Sequence, residues 1–213
     1  ISGSLTSYTD AFFETMSGFT TTGATIIDDV EALPHGLLFW RSLTHWIGGL
    51  GIMFFTIAIL PSLVGGSVKV FSAEATGPIK SKMHPRLSTT AKWIWGIYLL
   101  ITASCAACFW LFGMGFFDSI NYSMSIAATG GFSTHNASMA FFDSAAIDYT
   151  AAIFMILSGV NFSLLYLLIL KGKVKDFVKD SELRFYLGVI SISTLFITYM
   201  LVTRNGISVA DSF

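Results

Sequence analysis

The sequence predicts an all-α membrane protein built from repeated units, each a helix, a re-entrant pore loop and a second helix. Hydrophobic residues make up 54% of the 213 positions and charged residues only 12%, whereas ordinary globular chains are about 25% charged. Four apolar stretches are long enough to cross a bilayer, and two runs rich in Thr and Gly lie between them as copies of each other. We therefore expect a central pore with pseudo-rotational symmetry, of which this chain contains an incomplete part.

The four predicted membrane spans lie near residues 36–60, 93–115, 149–170 and 185–203. A hydrocarbon core of about 30 Å takes roughly 20 helical residues to cross. The last three spans contain no Asp, Glu, Lys or Arg, and the first contains only Arg41. This arginine either pairs with Glu14 or Asp28 or extends to the membrane interface, and the sequence leaves both open. Gly48, Gly49 and Gly51 in the first span are expected to let helices approach closely.

The basic residues predict the orientation of these spans, because cytoplasmic loops retain Lys and Arg. Residues 61–92 and 171–184 carry clusters of Lys and Arg, whereas 1–35 and 116–148 contain none and carry Asp and Glu instead. The two basic loops are therefore expected to face the cytoplasm. The two acidic segments are expected to face outward, where they would enrich cations.

An internal repeat in the two outward segments is the most informative feature of the sequence. Residues 10–23 align without a gap on residues 118–131, with Asp, Met, Ser and Gly among the matching residues, the last pair being Gly23 and Gly131. The final residues, Asp211 to Phe213, resemble the opening of a third copy, and the chain begins at Ile1. These two features predict a fragment of a longer protein.

Each copy divides into a helix-compatible piece of about a dozen residues and a run of Thr, Gly and Ser that disfavours a helix. Such a piece reaches only about 18 Å, so it must enter the membrane and turn back, and irregular backbone at that depth must be buried or line water. The backbone carbonyls of the runs can replace the hydration shell of a monovalent cation such as potassium. The candidate ion-binding residues are Thr21, Thr22, Gly23, Ala24, Thr129, Gly130, Gly131 and Phe132.

The number of spans between the copies separates two classes of transport protein. Two spans lie between them, so both copies enter from the same side, whereas inverted repeats of secondary transporters enter from opposite sides. A pore is therefore favoured, and a cation-coupled secondary transporter with a midplane binding site stays as the alternative. A membrane scaffold that transports no ion is the third hypothesis.

Other function classes find little support in the sequence. Residues 18–25 have the glycine spacing of a nucleotide-binding loop, but Ala24 stands where that loop requires Lys. No nucleophile, base and orienting residue can be assembled, so no enzyme is predicted. The net charge of −1 suggests no nucleic-acid partner. No covalently bound cofactor is expected.

Four segments together resemble the Trk/Ktr potassium-uptake family, nearest to the membrane (pore) subunit of its Trk-type branch. They are residues 20–25, 39–51, 85–92 and 128–134. The resemblance implies potassium uptake across the inner membrane by a multi-pass pore subunit. It also implies a homodimer surrounded by membrane lipid and resting on a cytoplasmic ring of nucleotide-binding regulatory subunits.

The family pattern also assigns each segment to a repeat. Residues 1–60 would hold the pore loop and second helix of repeat one, and 61–92 a cytoplasmic loop. Residues 93–170 would form the complete second repeat, with its pore loop at 118–134. A second cytoplasmic loop at 171–184 would lead into 185–213, the first helix and the start of the pore loop of repeat three. The resemblance implies four such repeats in a pseudo-fourfold pore architecture, with one filter glycine from each, here Gly23 and Gly131.

Overall fold

The computed structural model describes residues 7–58 and 87–205, and within these ranges its regular secondary structure is entirely helical. The chain divides into two compact units between Gly159 and Val160. Most of the first predicted cytoplasmic loop and the predicted opening of a third copy, at 211–213, lie outside the described residues.

The first unit contains five α-helices in its described part and one short 3-10 turn. These are α1 (Tyr8–Phe19), α2 (His35–Ala58), α3 (Leu87–Leu111), α4 (Phe116–Ala127), the 3-10 turn (Ser138–Phe142) and α5 (Ala145–Gly159). The second unit contains α6 (Phe162–Lys171), α7 (Val174–Lys179) and α8 (Ser181–Asn205).

The short helix α4 lies at the centre of the first unit, where it packs against α2, α3 and α5. Residues 121–128 are all buried, including polar side chains such as Asn121 and Ser125. An apolar cluster holds the helix in place, and it consists of Cys105, Phe109, Met114, Tyr122, Ile126, Ile147 and Ala151. The helix α1 packs against α2 alone among the described elements. Because both short helices touch α2, that helix fixes their relative position.

Two of the predicted close-approach glycines let α2 pack against the ends of the short helices. A Cβ at Gly48 would lie 2.2 Å from the carbonyl oxygen of Phe19, the last residue of α1. A Cβ at Gly49 would lie 3.1 Å from Ala128, which follows α4. These two predictions are confirmed. Gly51 makes no such approach within residues 7–58 and 87–205, where a Cβ would meet nothing within 4 Å, so its prediction is not supported there.

Two helices in the described part of the chain are long and apolar enough to cross a membrane, 92–111 within α3 and 181–204 within α8. The predicted first span coincides with α2, which has 24 residues but places Arg41, Ser42, Thr44 and His45 in buried positions. These polar groups of α2 therefore face protein.

The prediction of one uninterrupted helix over 149–170 is wrong. Helix α5 ends at Gly159, and α6 begins at Phe162. The backbone carbonyl of Asn161 accepts hydrogen bonds from the N–H groups of Leu164 (2.9 Å) and Leu165 (3.2 Å), so a new helix starts there. Gly and Asn are weak helix formers, and Asn is favoured at helix starts. The Asn161 side chain also donates to Glu182 Oε2 of α8 at 3.2 Å.

The ends of the other predicted spans also shift. The second span, predicted to reach residue 115, ends with α3 at Leu111, because Gly113 takes a left-handed conformation (φ 98°) and closes the helix. The predicted loop 171–184 contains the short helix α7, and α8 begins at Ser181 instead of 185.

Candidate ion-binding loops

The two predicted loops each follow a helix of 12 residues, α1 or α4. Twelve residues span about 18 Å, which is too short to cross a bilayer. The helices end at Phe19 and Ala127, immediately before the two predicted Thr and Gly runs. The structure therefore confirms the predicted division into a short helix and an irregular run.

The first loop leaves α1 through a Schellman turn, a helix ending in which two N–H groups return to the last carbonyls. Thr21 N–H donates to the Gly18 carbonyl at 3.0 Å, and Thr22 N–H donates to the Ser17 carbonyl at 3.0 Å. Thr21 occupies the left-handed position of this turn, with φ of 55°.

The second loop leaves α4 through the same turn at the aligned residues. Thr129 N–H donates to the Ile126 carbonyl and Gly130 N–H donates to the Ser125 carbonyl, each at 2.9 Å. Thr129 has φ of 54°, within a degree of its counterpart Thr21. The sequence alignment of the two copies thus also relates the backbone hydrogen bonds of the two loops.

A threonine at the left-handed position is unusual. Glycine is the common residue there, and a branched Cβ costs roughly 1–2 kcal/mol in this conformation. The end of α3 shows the ordinary arrangement, since Gly113 occupies the same position of the same turn. Backbone strain of this kind concentrates at functional sites. Its occurrence at Thr21 and at Thr129 therefore marks both loops as candidate functional segments.

Positive φ recurs two residues later in each loop, at Gly23 (75°) and at Gly131 (95°). A residue other than glycine is strained at such a φ whatever the space around it. Gly23 has a second requirement, because a Cβ there would lie 1.9 Å from the carbonyl oxygen of Gly130. The first and second loops therefore meet directly, backbone against backbone.

The eight predicted ion-binding residues differ in exposure. Thr22, Ala24, Thr129 and Gly131 are exposed, Thr21, Gly23 and Gly130 are half-buried, and Phe132 is buried. The structure thus brings the two loops together and leaves much of their backbone accessible.

Phe132 fixes the second loop to α2 through its ring. The ring stacks on His45 with centroids 4.0 Å apart, and the guanidinium carbon of Arg41 lies 4.2 Å from its centroid. His45 is fully buried, with Nδ1 3.2 Å from Ser125 Oγ, which in turn accepts the N–H of Gly131 at 3.0 Å. A Cβ at Gly130 would lie 2.2 Å from His45 Nδ1. The His45 ring therefore supports the back of this loop.

Ala24 is held differently from the other predicted ion-binding residues. Its carbonyl oxygen accepts a hydrogen bond from Ser17 Oγ at 2.6 Å. This bond directs the Ala24 carbonyl toward α1 and shows that it anchors the first loop to its helix.

Arg41 forms a buried ion pair with Glu14, at 2.9 Å, and each side chain is only 8% exposed. The sequence left open whether this arginine pairs with Glu14 or Asp28 or extends to the interface, and the structure selects Glu14. Charges are rarely this buried unless they are paired and hydrogen-bonded.

A second set of contacts joins the segments that follow the two loops. Asn136 Oδ1 accepts the N–H of Val30 at 2.8 Å, and Asn136 Nδ2 donates to Asp29 Oδ1, also at 2.8 Å. The Asn136 amide holds the pKa of the Asp29 carboxyl below its ordinary value of 3.8. His135 lies beside Glu31, with Nδ1 3.1 Å from Oε1.

The sequence did not predict the roles of His45 and Asn136. His45 lies four residues after Arg41, a spacing that places both on one face of a helix, and this was the available signal. Asn136 lies in a polar segment whose partners are more than 100 residues away, so no local pattern identifies it.

Comparisons with known proteins agree on one family. The family model described as "TrkH: Cation transport protein" matches residues 1–211. The chain is 47% identical over 182 residues to the Trk system potassium uptake protein TrkH of Salmonella typhimurium, covering 85% of this chain and 38% of that protein. It is 44% identical over 202 residues to TrkH of Vibrio parahaemolyticus, covering 93% and 41%.

The fold agrees as well. The crystal structure of the potassium transporter TrkH from Vibrio parahaemolyticus matches with a TM-score of 0.84 at 39% identity, covering 99% of this chain and 42% of that one. The chain thus spans about two fifths of the length of these relatives.

Proposed function

Because this chain belongs to the TrkH family of cation transport proteins, we propose that it supplies two ion-binding loops of a pore for potassium uptake. The relatives it matches are named as potassium uptake proteins, and we take potassium as the ion from those names. In this proposal the backbone carbonyls of the two loops replace water around the ion, and the electrochemical gradient drives its flux.

The observation that carries the proposal is the shared geometry of the two loops. Each has left-handed residues at two positions, Thr21 with Gly23 and Thr129 with Gly131, and each follows the same helix turn. A repeated, strained and accessible backbone is what a ring of carbonyl ligands requires, because each repeat must present the same groups to one central ion.

The main alternative is a cation-coupled secondary transporter with a midplane site. Such a transporter commonly uses a buried acidic residue to bind the coupling ion. Within the described ranges the buried acidic side chain is Glu14, and its charge is already neutralised by Arg41. This pairing favours the pore. Ion flux measured against membrane potential, with and without a sodium or proton gradient, distinguishes the two.

The assembly and the membrane stay predictions that rest on the family resemblance. We propose a multi-pass subunit in the inner membrane, present as a homodimer, that rests on a cytoplasmic ring of nucleotide-binding subunits. The repeat boundaries given above are part of the same proposal.

The direct test replaces the two filter glycines separately in the intact protein. Gly23→Ser and Gly131→Ser should reduce discrimination between rubidium, a potassium substitute, and sodium, because a side chain strains both positive-φ positions. Gly23→Ser should have the larger effect, since its Cβ would also strike the Gly130 carbonyl. The measurement is uptake of both ions in cells that lack their own potassium uptake, with protein level quantified.

Gly51→Ser is the matched control, because Gly51 lies on α2 with nothing within 4 Å of a Cβ. It should leave the ion ratio unchanged. If both loop variants keep the wild-type ratio at normal protein level, the loops are external turns and the proposed function is wrong.

A further inference from the structure

We propose that the Glu14–Arg41 ion pair is a positioning element that holds the two loops in register and thereby helps to set ion preference. This inference rests on the proposed function, because ion preference has meaning only if the loops bind the ion. Neither residue needs to touch the ion for this role.

Glu14 holds the end of the first loop with both carboxylate oxygens. Thr25 Oγ1 donates to Oε1 at 2.9 Å, and the backbone N–H of Ile26 donates to Oε2 at 3.2 Å. Thr25 lies two residues after Gly23. The carboxylate on α1 therefore fixes the chain just beyond the left-handed glycine.

Arg41 extends the same network to the second loop. Its Nη1 donates to the Ser133 carbonyl at 3.4 Å, and its Nη2 donates to Thr25 Oγ1 at 3.2 Å. Its guanidinium also lies over the Phe132 ring at 4.2 Å. One planar side chain on α2 thus contacts residues that follow Gly23 and residues that follow Gly131. The fixed fork of the guanidinium suits this, since its donors point in several set directions.

The ion pair belongs to one copy of the repeat but serves both loops. In the ungapped alignment Tyr122 stands at the position of Glu14, so the second copy has no carboxylate there. The second loop is braced within its own copy by Asp118, whose Oδ1 accepts Thr134 Oγ1 at 2.7 Å. Arg41 links it to the first loop at the residues nearest the two glycines, whereas Asn136 and His135 join the chain farther along. Together with the contact between Gly23 and Gly130, this link makes the geometry of each loop depend on the other.

A buried ion pair can also act only on stability, and the two roles must be separated. Removing one partner leaves an unpaired buried charge and destabilises the protein, whereas neutralising both partners leaves none and is often tolerated. The double variant Glu14→Gln/Arg41→Gln therefore removes the positioning network with less harm to folding. Arg41→Lys keeps the charge but cannot reproduce the planar fork.

The experiment measures the ratio of rubidium to sodium uptake and the melting temperature of the purified intact protein. In Glu14→Gln/Arg41→Gln and in Arg41→Lys we expect protein level close to wild type and a fall in the ratio of roughly two- to thirtyfold, the range found for residues that couple two sites. The matched control is Lys173→Gln/Asp176→Asn, which neutralises an exposed ion pair of 3.3 Å in the second unit. It should change neither quantity.

A wild-type ion ratio in the double variant at normal protein level would overturn this inference. If the double variant does not accumulate, the test depends on Arg41→Lys. A wild-type ratio of rubidium to sodium uptake in Arg41→Lys would also overturn the inference. The glycine variants separate this failure from that of the proposed function. If Gly23→Ser and Gly131→Ser alter the ratio while the neutral pair does not, the loops bind the ion and the ion pair is only structural.

Discussion

At the scale of the residue, the left-handed threonines carry a conformational cost that glycine would avoid. Thr129 is exposed, so replacing it loses little packing. We expect Thr129→Gly to raise the free energy of unfolding by about 1 kcal/mol, because relief of the left-handed strain exceeds the entropy that a glycine adds to the unfolded chain. The melting temperature should rise by roughly 2–4 °C. Thr129→Val keeps the branched Cβ and should show no such rise, and equal melting temperatures for the glycine and valine variants would contradict the strain argument.

Single residues also show what the sequence could and could not predict about the site. The alignment of residues 10–23 with 118–131 identified Gly23 and Gly131. A glycine that the backbone conformation requires recurs at the same position of both copies of a repeat. The stacking of His45 on Phe132 depends on the position of α2 relative to α4. The spacing of apolar residues along the sequence does not predict that position. The hydrogen bond from Ser17 to the Ala24 carbonyl could not be foreseen from residue type, and the role of Ala24 in ion binding stays a prediction.

At the scale of the element, α2 is the support on which both short helices rest, and its glycines make that possible. A Cβ at Gly48 would lie 2.2 Å from a backbone oxygen of α1 that has no side-chain freedom to move aside. We expect Gly48→Ala to lower the free energy of unfolding by about 1–3 kcal/mol, as for other overpacked sites. Gly51→Ala should be neutral or stabilising by about 0.5–1 kcal/mol, because alanine favours the helix and nothing lies nearby. Melting of the two purified variants in detergent tests this, and equal stabilities would show that α2 does not hold α1 at this contact.

Helices were easier to predict than their ends. Long apolar stretches identified α3 and α8 because length and composition are local properties. The break between α5 and α6 was missed, since a single polar residue, Asn161, does not divide a segment that is otherwise long and apolar. What ends the helix is a new set of backbone hydrogen bonds that begins at the Asn161 carbonyl.

At the scale of the whole molecule, the orientation inferred from Lys and Arg can be tested with single cysteines in the intact protein. Within this chain Cys105 is fully buried and can remain, so the background carries Cys108→Ala and lacks any other cysteine that the reagent labels. Cysteines introduced at Asp28 and Ser138 should react with an impermeant reagent applied outside the cell, and a cysteine at Lys175 should react only after permeabilisation. All three positions are exposed, so access to solvent is comparable. The reverse labelling pattern would invert the topology and the direction of both loops.

The Schellman turns have one more consequence, which concerns the direction of the peptide dipoles. In a trans peptide the N–H of one residue and the C=O of the residue before it point in opposite directions. The N–H groups of Thr21 and Thr22 point back to α1, so the carbonyls of Thr20 and Thr21 point forward, away from it. The same holds for the carbonyls of Ala128 and Thr129 beyond α4. Each helix therefore continues its field past its last turn, and the carbonyl oxygens that follow the helix are directed by hydrogen bonds made on the opposite side of the same peptide planes.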